Sequence, residues 1–239
     1  MTDGQLTDVR ESTARRSGKV PVSRRLVALA AAGALLAAGC GGEPVATPTD
    51  RGTCPSAAPE EGYRALFDGT EASLDAWRMA GPGRFELQGD CSIVTVGGMG
   101  LLWYPEIFAD YRLRLEWRVS GDDNSGVFIG FPDPGGDPWT AVTEGYEVQI
   151  DPSDRPERTT GAVYGVQGAD LARRDEALAP AGEWNSYEIV ADGSRLAVHL
   201  NGVLVNELVT EEPLVGHVGL QNHGPADEVA FRDVRIGPA

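Results

Sequence analysis

The chain has 239 residues, of which 41% are hydrophobic and 23% charged, which is enough to bury a sizeable core and unlike the composition of a disordered segment. Acidic residues outnumber basic ones by 36 to 20, and a net charge of -16 repels phosphate backbones, which excludes general nucleic-acid binding. The imbalance is uneven: residues 1–39 hold six basic and three acidic side chains, so the remainder is more acidic than the total implies.

In chain order, Arg24 and Arg25 precede an apolar run at 26–38. That run is shorter than the ~20 residues a membrane-crossing helix needs, but it suits the hydrophobic region of a signal peptide. Ala37-Ala38-Gly39-Cys40 resembles a bacterial lipobox, and Ser23-Arg24-Arg25-Leu26-Val27 resembles a twin-arginine export signal. Residues 1–39 are thus expected to be a lipoprotein signal peptide. Cys40 would be lipidated and would anchor the exported protein on the extracytoplasmic side of the cell membrane. Residues 40–60, rich in Gly, Pro, Thr and Ala, read as a flexible tether. With Cys40 lipidated, Cys54 and Cys91 are the two remaining cysteines, and export favours a Cys54–Cys91 disulfide; two separate buried thiols are the alternative.

Residues 61–239 read as one domain whose dominant period is two. Over Tyr111–Val119 the odd positions are apolar or aromatic and the even positions charged, the pattern of a strand with one wet face. Tyr187, Ile189 and Ala191 alternate in the same way, as do Leu196, Val198 and Leu200. Asp192-Gly193 and Asn201-Gly202 are hairpin signals. Further strands are expected at 126–131, 146–150, 218–221 and 229–236, and a short helix at 169–178. Residues 131–143 and 151–160 read as loops. Many short strands with Gly, Pro and Asx turns predict an all-β sandwich or jelly roll. The chain carries no G-x-S-x-G, H-E-x-x-H, C-x-x-C or P-loop motif. It has three histidines, which excludes a zinc site with several His ligands but leaves open an oxygen-rich divalent metal site.

A run of motifs carries a resemblance. They are Leu66-Phe67-Asp68-Gly69, Gly100-Leu101-Leu102-Trp103, Asn124-Ser125-Gly126-Val127-Phe128, Gly145-Tyr146-Glu147-Val148-Gln149-Ile150, Gly182-Glu183-Trp184-Asn185 and Gly219-Leu220-Gln221-Asn222-His223-Gly224. Together and in this order, over about residues 61–237, they resemble the 3-keto-disaccharide hydrolase family. The resemblance implies a concanavalin-A-like jelly-roll β-sandwich of two antiparallel sheets. It also implies a small carbohydrate substrate oxidised at C3. A C3 ketone acidifies the proton on C2, and its removal lets the aglycone leave from C1. That route needs one base, donors for the enolate oxygen and one acid, rather than the paired carboxyls of ordinary glycosidases.

On this reading Glu147 and His223 are the candidate catalytic residues, Glu147 as base and His223 as acid, or both as ligands of a divalent metal. Strand alternation places Glu147 and Gln149 on an open face opposite Tyr146, Val148 and Ile150, with Gln149 and Gln221 positioned to bind substrate hydroxyls. Asn124 and Ser125 are further candidate donors to substrate, or simply turn residues. Trp103, Tyr104, Trp139 and Tyr146 are candidate sugar-stacking rings, while Trp77, Trp117 and Trp184 read as core. The family commonly has an Arg soon after its Asn-Ser-Gly motif, where this chain runs Val127-Phe128-Ile129-Gly130, and Arg158 is the candidate replacement. The competing reading is a lectin-like, non-catalytic carbohydrate-binding module.

Overall fold

A computed structural model describes residues 60–239. The signal peptide, Cys40, nearly all of the tether and Cys54 lie outside the described residues. The elements in order are β1 (Arg64–Phe67), α1 (Glu71–Leu74), β2 (Arg78–Ala80), β3 (Arg84–Leu87), β4 (Ile93–Val96), β5 (Gly100–Trp103), β6 (Tyr111–Val119) and β7 (Ser125–Phe131), then α2 (Trp139–Glu144), β8 (Tyr146–Ile150), α3 (Leu171–Ala177), β9 (Asn185–Asp192), β10 (Arg195–Leu200), β11 (Val203–Val209), β12 (His217–Asn222) and β13 (Val229–Pro238). They form a jelly-roll sandwich of two antiparallel sheets. One sheet runs β11-β10-β9-β6-β13-β4-β3 with β1 also on β13, and the other runs β2-β5-β12-β7-β8.

The first sheet matches the alternation in the sequence. Tyr111, Leu113, Leu115, Trp117 and Val119 of β6 are buried, and the charged residues between them are only partly so. The outward arginines pair with acids: Arg112 and Arg114 reach Glu188 at 3.1 and 2.6 Å. Trp184 is not core. It lies half-buried on this outer face between the guanidinium groups of Arg118 and Arg232, 4.5 and 4.0 Å from its ring centre. Both hairpin signals hold. Asn201 and Gly202 adopt φ of 48° and 82°, the left-handed pair that a tight two-residue hairpin requires. β13 bulges between Arg232 and Arg235, where Asp233 takes a φ of 51°; the strand pairs with β4 before the bulge and with β1 after it.

The second sheet is covered on both faces. Val127, Ile129, Val148, Ile150, Val218 and Leu220 pack toward the first sheet in the main core. On the opposite face Ala80, Leu101, Trp103, Phe128 and Phe131 form a second cluster, capped by Ala141 of α2. This corrects three expectations. Residues 131–143 are not wholly loop, because α2 starts after Pro138, with the Trp139 N–H donating to Asp137 Oδ1 at 3.0 Å. Trp103 is not a stacking platform; it is 2% exposed and packs edge-on against His217. Tyr104 also turns inward, packing against Trp77.

The connection before α2 crosses the sheet. Gly136 C=O accepts a hydrogen bond from the N–H of Gly81, beyond β2 at the far edge. A Cβ at Gly81 would come within 2.9 Å of Pro138 Cγ, so glycine permits this approach. The open part of the sheet is thereby confined to the ends of β7, β8 and β12.

Candidate active site

The floor of the site is β7. Its register sets Phe128 opposite Glu147 and Gly126 opposite Gln149 on β8. On its other side, Phe128 pairs with Gly219 of β12, so Gln221 lies further along toward the Gly126 end. Glycine at 126 is a steric requirement. A Cβ there would sit 2.2 Å from Glu147 Oε1, because the carboxyl leans across the bare strand. Gln149 is held from behind, since the buried Tyr187 hydroxyl of the other sheet donates to its carbonyl oxygen at 2.6 Å.

Above this floor is a cleft of about 350 Å³. Its base carries Glu147, Gln149 and Gln221. Trp139, Val142 and Met99 make one wall; Asp154, Arg158 and Tyr164 make another; Asn124 and His223 complete the rim. Glu147 and Gln149 do point away from the main core, as alternation requires, but they are not on an open face. They are 7% and 1% exposed. Glu147 Oε1, Gln149 Oε1 and Gln221 Oε1 are buried without hydrogen-bond partners, so three oxygens are left to meet the polar groups of a ligand.

Burial pushes the Glu147 carboxyl up to about 8, opposed only in part by a hydrogen bond from the Gln221 side chain. No cation lowers it, and at neutral pH it keeps its proton. His223 is half-exposed, with Nδ1 at 2.9 Å from Asp227 Oδ2. Arg158 lies over the Tyr164 ring, hydrogen-bonds its hydroxyl at 3.1 Å and pairs with Asp154 at 3.3 Å. It therefore brings a positive charge to the cleft wall. Asn124 donates from Nδ2 to Asp151 at 3.0 Å. Trp139 lines the cleft and is 55% exposed.

Two expected binding residues do not reach the cleft. Ser125 shares the inward face of β7 with Val127 and Ile129; it is fully buried, and its hydroxyl donates to the Gln221 carbonyl at 2.7 Å. Tyr146 shares a face with Val148 and Ile150 and packs on the main core. Parity along the strand dictates both outcomes. Asp154, Tyr164, Met99 and Val142 were not singled out by sequence reasoning. They come from loops and from α2, with no periodic signal.

Among the described residues no group of three or more His, Cys, Asp or Glu is arranged to hold a metal ion. His217 is turned inward, with Nδ1 at 3.0 and 2.9 Å from the carbonyls of Tyr104 and Glu106. His199 lies on β10 in the other sheet, away from this site.

Two crystal structures of candidate glycosyl hydrolases from Parabacteroides distasonis share this fold. One superposes with a TM-score of 0.64 at 19% identity, covering 77% of this chain and 99% of that one. The other gives 0.57 at 21% identity, covering 74% and 99%. A 3-keto-disaccharide hydrolase of Bacteroides thetaiotaomicron is 26% identical over 231 residues, spanning 74% of this chain and 78% of the relative. Residues 62–237, nearly the whole described domain, match the 3-keto-alpha-glucoside-1,2-lyase-like domain, and the chain belongs to that family.

Proposed function

We propose that this protein cleaves the glycosidic bond of 3-keto-glycosides by elimination across C1 and C2, with His223 as the base and Glu147 as the acid. The observation that carries this reading is the meeting, in one cleft, of a carboxyl whose proton is held on by burial and the half-exposed His223 imidazole. These roles reverse those expected from the strand pattern. A carboxyl whose proton is lost only near pH 8 cannot take another at pH 7, but it can give its own to a leaving oxygen.

The steps balance with these groups alone. His223 takes the C2 proton, and the C–H electrons form the C2–C3 enolate. As the enolate reverts to the ketone, its electrons form a C1–C2 double bond and break the C1–O bond. Glu147 protonates the departing oxygen. Water adding at C1, with a proton returning to C2, completes net hydrolysis. Gln149 and Arg158, both in the cleft lining, supply the donors for the enolate oxygen.

An ordinary glycosidase would need a second free carboxyl facing Glu147. The other carboxyl lining the cleft, Asp154, is ion-paired with Arg158. A purely sugar-binding module would use the same buried oxygens to hold hydroxyls, so binding and cleavage are separated by turnover rather than by the lining of the cleft. Incubating the purified protein with a 3-keto-glucoside and with its unoxidised parent should release aglycone from the keto form alone. Equal release from both would contradict the proposal, and binding of either sugar without release would favour the lectin-like reading.

A further inference from the structure

We infer that Asp227 is the positioning residue that fixes the tautomer and orientation of His223, an inference that rests on His223 acting as the base. Asp227 lies on the β12–β13 connection, four residues after the histidine. Its side chain is 15% exposed, whereas that of His223 is 51% exposed. The carboxylate is held independently of the imidazole. Its Oδ1 accepts the backbone N–H of Asn124 at 3.0 Å, at the start of β7. Its own carbonyl accepts the Thr95 hydroxyl of β4 at 3.1 Å, and its N–H donates to the Gly224 carbonyl at 3.3 Å.

Asp227 is thus fastened to both sheets, and Oδ2 is left directed at His223 Nδ1, 2.9 Å away. A carboxylate can only accept, so Nδ1 must carry the proton, and the Nε2 lone pair is left free for the cleft that His223 lines. A half-exposed imidazole without this partner would sample other rotamers and the opposite tautomer, which presents a proton rather than a lone pair to the substrate. In the serine-protease triad, replacing the orienting aspartate by asparagine costs about 10⁴-fold through the same tautomer error.

The test is the nitrogen spectrum of the neutral His223 ring, together with steady-state kinetics, in the wild type, Asp227→Asn, Asp227→Ala and Asp227→Glu. The wild type should show the Nδ1–H tautomer. Asp227→Asn, nearly isosteric, should shift His223 toward Nε2–H and lower kcat ~10- to 1000-fold with KM within ~3-fold. Asp227→Glu should restore part of both. Asp227→Ala gives the same direction, and Asp227→Asn serves if the alanine variant does not fold. An unchanged His223 tautomer in Asp227→Asn, or a loss confined to KM, would overturn the inference. If the tautomer shifts but the protein turns over no 3-keto-glycoside, the inference about Asp227 holds and the proposed reaction is what fails.

Discussion

Glu147→Gln is expected to lose at least ~100-fold in kcat, with KM changed only a few-fold, while becoming more stable than the wild type at alkaline pH. The variant keeps the shape and removes the transferable proton. The stability half follows from the direction of the shift. In the folded protein the carboxyl holds its proton up to about 8, against an ordinary 4.5, because burial penalises the anion. The folded state therefore binds this proton more tightly than the unfolded chain does. Stability from this group is fully present below 4.5, declines as pH rises and is exhausted above about 8. The wild type should lose on the order of 2–5 kcal/mol across that window relative to a glutamine that cannot ionise. Denaturant unfolding of both proteins at pH 5 and pH 9 checks this, and stability curves that run parallel would contradict it. In the wild type, kcat/KM should fall above about 8 as the acid loses its proton. A rate that instead climbs through that pH would make Glu147 the base.

His223→Ala is expected to cost ~100-fold or more in kcat and almost nothing in stability. The ring is half-exposed, hydrogen-bonds Asp227 and belongs to neither hydrophobic cluster, so its removal leaves no cavity in either core. Added imidazole should recover part of the lost rate, because the space vacated at the rim opens onto the cleft. Near-normal turnover would remove His223 from the chemistry. A collapse in melting temperature would assign it to the fold instead.

The legibility of the sequence followed how many faces each strand exposes. β6, β9 and β10 each keep a polar side toward solvent, so Tyr111, Leu113 and Leu115 declare their period against Arg112, Arg114 and Glu116. β7 and β12 are covered on both sides and read only as short apolar runs with no direction assigned. In β8 the parity of Glu147 was legible but its environment was not. Its burial depends on α2 and on residues 154–164, which fold over the sheet from separate stretches of chain. The same gap explains the reversed roles, since a carboxyl on an open strand face would be ionised and would serve as a base. Ser125 and Tyr146 lay within the right motifs on the wrong parity. Asp227 has no signal beyond its spacing of four from His223, and its partners Thr95 and Asn124 are more than a hundred residues away.

The measurement that bears most directly on elimination is isotope incorporation at C2. With a 3-keto-glucoside turned over in deuterium oxide, and spontaneous exchange subtracted using a sample without enzyme, the sugar product should carry one solvent deuterium at C2 for each aglycone released. The enzyme acting on C2-deuterated substrate should also release the label to water. Aglycone release with the original C2 hydrogen retained would mean that C1–O cleavage proceeds without deprotonation at C2, and would contradict the account.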